Sequence, residues 1–129
     1  MSFTPYKGAS LLIETGPQPG KCHLFVVVTE NHQLNEYILV CVCSQREGSF
    51  FDPTCEVVKG DHSFIQHPSF VDYRHTRVET AEHLRTLLGG WMAWQRHDVS
   101  KAVLDKMSDG VLESDFTKGH VERAYNRAP

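Results

Sequence analysis

The chain has 129 residues, 40% of them hydrophobic and 22% charged, the size and make-up of one compact domain that buries a core without disulfide or metal staples. A formal charge of −3 excludes a surface that holds long nucleic acid by counterion release over its whole extent, so any anion site must be local. No stretch approaches the ~20 apolar residues of a membrane span, and polar Ser2 to Gly8 followed by the short Leu11-Leu12-Ile13 does not read as a secretory signal, so a cytoplasmic protein with no membrane partner is expected.

In chain order, "GPQPGK" (16–21) is an exposed loop, because two prolines and two glycines cannot serve a sheet ladder. "HLFVVVT" and "YILVCVCSQ", joined by the polar "ENHQLNE", predict an antiparallel hairpin apolar on both faces and therefore central. "TCEVV" reads as a short third strand, "KGDHSFIQHP" as a loop and "SFVDYRHTRV" as a fourth strand that starts in the core and ends at a rim. Strict alternation puts Phe70, Asp72, Arg74 and Thr76 on one face of it, and Val71, Tyr73, His75 and Arg77 on the other.

From Thr80 the period changes. Thr80 caps a helix that buries Ala81, Leu84, Leu87 and Leu88 and stops at Gly89-Gly90; Ser100 caps a second with Val103, Leu104, Met107 and Val111 on its stripe; a third starts near Thr117 and runs through Val121, Ala124 and Tyr125. Trp91 and Trp94 read as a packing ridge between helix and sheet. The expected architecture is a single domain over 1–129, mainly β with C-terminal helices: a small barrel over roughly 8–80 and helices over roughly 80–127.

The segment 59–80 concentrates the polar chemistry. His62 and His67 flank a loop, and His75 sits between Arg74 and Arg77; imidazole exchanges protons near neutrality and guanidinium forks match phosphate oxygens, so the group suits acid–base work on a phosphate ester. Both arginines serve one site only if the strand twists or bulges; otherwise one of them partners Asp72 or Glu79. The four cysteines, 22, 41, 43 and 55, are expected as reduced thiols, two of them inside an apolar run. A zinc site from Cys41, Cys43, Cys55, His62 and His67 has the wrong spacing for a structural knuckle, so neither metal nor cofactor is expected. Cys22 and His23, adjacent on a strand, face opposite ways and make a poor nucleophile–base pair.

The order "GKCHLFVVVTE", "YILVCVCSQ", "DPTCEVV", "SFVDYRHTRVETAEHL" resembles the PemK/MazF-like toxins of bacterial toxin–antitoxin modules, over roughly residues 8 to 84. "HTRVETAEHL" is similar to that family's "QIRTIDKxRL", with Arg77 and Leu84 coinciding. The resemblance implies a small SH3-like barrel, metal-independent cleavage of single-stranded RNA, a homodimer and neutralisation by an antitoxin protein. It assigns Lys21 or His23 as cation or proton donor, Ser44 to a phosphate oxygen, Asp72 or a histidine as base, and Arg77 as a brace; Arg74, His75, His62 and His67 are the substrate-binding candidates. The chain departs from the family where Lys21-Cys22-His23 replaces an Arg-Pro start, where Cys43-Ser44-Gln45 ends the next strand, and where Asp72-Tyr73-Arg74 reverses an Arg-x-Asp order. A barrel without nuclease chemistry, binding a protein or nucleotide, is the alternative.

Overall fold

The structure is a computed structural model that describes residues 3–17 and 20–129. Its elements run β1 (Ser10–Glu14), β2 (Cys22–Asn31), β3 (Glu36–Ser44), β4 (Glu56–Val57), β5 (Ser69–Glu79), α1 (Ala81–Gly89), β6 (Ala93–Arg96), α2 (Lys101–Glu113) and α3 (Gly119–Arg127). The strands form one antiparallel sheet in the order β4-β5-β3-β2-β1-β6. The β+α class is as expected, but the expected barrel is not closed, since β4 and β6 stand at opposite edges. A two-residue β4 offers too few backbone groups to carry a closing seam.

The central hairpin is apolar on both faces because both faces are covered. Leu24, Val26, Val28, Ile38, Val40 and Val42 pack with Val103, Met107 and Val111 of α2 and Val121 of α3. Leu11, Ile13, Phe25, Val27 and Leu39 pack with Ala81, Leu84 and Leu87 of α1. At about 25 cal/mol per Å² of apolar area, these two layers supply most of the folding drive. Thr80 and Ser100 cap their helices as expected, each accepting from the backbone N–H three residues on; α3 begins at Gly119 with Lys118 as its cap residue.

Two strands were not expected. β1, "SLLIE", lies between β2 and β6 and is buried along most of its length; β6, "AWQR", is a short edge strand that pairs Trp94 with Leu12. The tryptophans therefore form no helix-to-sheet ridge. Trp94 packs part-buried against the core from β6, while Trp91, at φ 59 in the turn before it, is 75% exposed.

Two irregularities aim the polar residues. On β2 the pairing shifts between Val27 and Thr29, so Val28 is an extra residue. On β5, Arg77 faces Leu39 and Asp72 faces Cys41, so two steps along β3 correspond to five along β5 and three residues are extruded. Thr76 Oγ1 donates to the Tyr73 carbonyl at 2.9 Å across this bulge, and Tyr73 turns into the α2 side, where its hydroxyl donates to the Met107 carbonyl at 2.7 Å.

Candidate functional site

α1 covers only part of its sheet face. Beyond it, where β2, β3 and β5 reach their ends, lies a cavity of about 870 Å³ floored by Phe25 and Cys41. Lys21, His23, Ser44, Asp72, Arg74, His75 and Arg77, spread over 57 positions of the chain, all reach it. Lys118, at the start of α3, and Phe50, from the loop before β4, complete the wall. The bulge of β5 explains the convergence. By alternation Asp72 and Arg77 belong to opposite faces; the extruded residues bring both to the cavity.

His62 and His67 are placed elsewhere. His62 is 2% exposed, and its Nδ1 accepts from the Phe64 N–H at 3.0 Å. Nε2 therefore carries the proton, 3.0 Å from Ser10 Oγ and 3.1 Å from the His97 carbonyl, with the His97 ring stacked at 4.0 Å. His67 is exposed and lines a neighbouring cavity of about 380 Å³, which shares Lys21, His23, Cys43 and Ser44 with the larger one.

Both arginines have carboxylate partners. Arg74 donates from Nε and Nη2 to the two oxygens of buried Asp72 at 3.0 and 2.8 Å, and its guanidinium lies 3.5 Å over the Phe50 ring. Arg77 Nε donates to Glu79 at 2.7 Å. The sequence treated these as alternatives to a shared site; the structure combines ion pairing with a shared site. A guanidinium has five N–H donors, and these bonds use two on Arg74 and one on Arg77, so donors remain for a bound anion. His75 Nε2 stands 3.6 Å from the Asp72 carboxylate, close enough for charge interaction and too far for a hydrogen bond.

At the inner wall, His23 and Cys43 meet across the hairpin. Leu24 pairs with Val42, so the next pair outward is His23 with Cys43, side chains about 5 Å apart at Cβ. Cys41 lies two residues along the same face, with Sγ 3.9 Å from Cys43 Sγ. Contact with the Cys41 thiol holds Cys43 down to about 5, with the nearby His23 ring adding to this against burial and Asp72. Cys41 is pushed well up, by its bond to Cys43 and by burial. His23 is raised, chiefly by the neighbouring Cys43, against burial and Lys21. Its Nδ1 is hydrogen-bonded to Thr15 Oγ1 at 2.5 Å, which fixes the ring.

Cys43, Cys41, Thr15, Phe50 and Lys118 were not singled out as parts of this site from the sequence. The signal for Cys43 was its place opposite His23 in the hairpin. Counting outward from the turn, Asn31 with Glu36, puts Ser44 there instead; the extra Val28 moves the register by one.

All four cysteines are free thiols. No cluster of three or more His, Cys, Asp or Glu side chains able to hold a metal occurs among the described residues. No helix among them is long and apolar enough to cross a membrane. No protein-family model matches the sequence, and no curated protein matches it.

Proposed function

We propose that the cavity binds single-stranded RNA and cleaves its phosphodiester bonds without a metal ion. One observation carries this: a chain of net charge −3 gathers Lys21, Arg74, Arg77, Lys118 and two imidazoles around one concave site that also presents an aromatic ring. The cations supply a local positive potential at the cavity.

The roles follow from the surroundings of each group. His75, exposed and beside the Asp72 carboxylate, takes the proton of the 2′-hydroxyl as that oxygen attacks the adjacent phosphorus. The spare donors of Arg77 and the ammonium of Lys21 stabilise the crowded dianionic phosphorane, and Ser44 donates to one of its oxygens. His23, whose affinity for its proton is raised by the neighbouring Cys43, gives that proton to the departing 5′-oxygen. The products are a 2′,3′-cyclic phosphate and a free 5′-hydroxyl. Asp72 orients His75 and Arg74 in this scheme.

The motifs around Arg77 and Leu84 support kinship with the PemK/MazF-like toxins, whose barrel would here be opened along the β4 and β6 edges. A cytoplasmic homodimer neutralised by an antitoxin segment belongs to the same proposal and rests on that resemblance. Induced expression tests it. An active toxin arrests growth, and Lys21→Ala, His23→Ala or Arg77→Ala relieves the arrest while the protein remains folded. Unimpeded growth at high soluble yield contradicts it.

A second reading has its own observation. Both arginines already hold carboxylates, which lowers the positive potential available to a substrate. On that basis the cavity binds an oligonucleotide or nucleotide without cutting it, and the readout is saturable binding with no product.

A further inference from the structure

Cys43 occupies an unusual position for a thiol. It lines the cavity that also holds Lys21, Arg74, Arg77 and the Asp72 carboxylate, it faces His23 across the β2–β3 ladder, and a second thiol, Cys41, stands 3.9 Å from it. In the RNA-cleavage scheme it acts only through His23, whose affinity for its proton it raises. Cys22, also part-buried, faces the other way from His23 and lines only the smaller cavity; Cys55 is buried.

We propose that Cys43 is a covalent modification site that forms a mixed disulfide with anionic low-molecular-weight disulfides. The thiolate of Cys43 attacks one sulfur of the reagent, the reagent's S–S bond breaks, and a new S–S bond joins Cys43 to one half. The other half leaves as a thiolate and takes a proton from solvent. Cys43 is oxidised and the departing half reduced, so electrons balance within the two reactants.

Three features favour this site over the other cysteines. The Cys41 S–H and the His23 ring stabilise the thiolate, so the attacking form is present where an ordinary thiol is protonated. Lys21, Arg74 and Arg77 attract carboxylate-bearing reagents and repel cationic ones. A cavity of about 870 Å³ has room for a tripeptide. Cys41 is a positioning residue. Once Cys43 is capped, burial and Asp72 still hold the Cys41 proton, which slows resolution of the adduct.

The test uses reduced full-length protein with glutathione disulfide, net negative, and cystamine, net positive, read by intact mass and peptide mapping from pH 5.5 to 8. Thiolate fraction and nucleophilicity change in opposite directions with pKa, and together they give Cys43 a rate roughly tenfold or more above Cys22 at pH 5.5. The Cys43 rate stays nearly flat from pH 6 to 8, an interval in which a thiol of ordinary pKa gains about a hundredfold in thiolate. Glutathione disulfide outpaces cystamine, and Lys21→Ala narrows that difference. Cys41→Ala moves the onset of reaction to higher pH. Cys43→Ser abolishes the adduct, and should that variant fold poorly, the peptide map of the wild-type protein decides alone. Labelling of Cys22 before Cys43, a Cys43 rate that climbs through pH 8, or cystamine reacting as fast overturns the proposal. The readout involves no RNA, so its failure leaves the cleavage reading standing and the reverse holds.

Discussion

Asp72 and Arg77 lie on one face of β5 although they are five positions apart, because the residues between them are extruded from the ladder. Asp72 is buried at the root of that bulge and accepts three hydrogen bonds from Arg74, two from the guanidinium and one from the backbone N–H. Asp72→Asn keeps the shape and removes the charge. It should cost about 1–2 kcal/mol in urea unfolding, less than for a fully buried pair because Arg74 is partly exposed. Oligonucleotide binding should tighten, since the cavity loses a negative group. Unchanged stability would show that the Asp72–Arg74 geometry is not held in solution.

Gly110 of α2 sits against the Tyr73 ring. A Cβ at position 110 would overlap the Tyr73 hydroxyl and Cζ, while that hydroxyl already donates to the Met107 carbonyl. Gly110→Ala should therefore destabilise by about 3 kcal/mol, in spite of alanine's better helix propensity. Tyr73→Phe alone should cost about 1 kcal/mol for the lost hydrogen bond. Combined, the two should cost less than their sum, and strict additivity in a double-mutant cycle would argue against this contact.

The histidines His62 and His23 should titrate on opposite sides of the ordinary value. His62 is depressed by burial and by neighbouring His97, so the folded state binds fewer protons than the unfolded chain, and its contribution to stability is lost as pH falls through about 6.5 toward the folded value. His23 is raised, so its contribution is present below about 6.5 and is lost as pH rises through the folded value. Resolved imidazole proton resonances give both midpoints directly. The reverse order would contradict the environments described.

Much of the fold was legible because periodicity reports burial. The hairpin runs are apolar at every position since α1 covers one face and α2 and α3 the other, and the helix starts at Thr80 and Ser100 carry their own caps. β1 and β6 were not legible: "SLLIE" and "AWQR" are too short to show a period, and although β1 forms a hairpin with β2, β6 pairs only with β1, far away in sequence. Of the side chains around the cavity, Lys21, His23, Ser44, Asp72, Arg74, His75 and Arg77 were legible as a list and not as a geometry, while His62 and His67 lie outside it. Its side chains are aimed by Val28 and by the extruded stretch of β5, and in a run such as β2, buried on both faces, an extra residue leaves no break in alternation to read. The same cause hid the pairing of His23 with Cys43.

The central claim is tested most directly by incubating purified protein with a single-stranded RNA oligonucleotide in excess chelator and analysing the product ends. The account predicts 2′,3′-cyclic phosphate and 5′-hydroxyl termini, no cutting of the all-deoxy oligonucleotide, and a fall of about 10²–10⁴ in rate for His23→Ala and for His75→Ala. Intact RNA at stoichiometric protein, or cleavage that both variants retain in full, would contradict it.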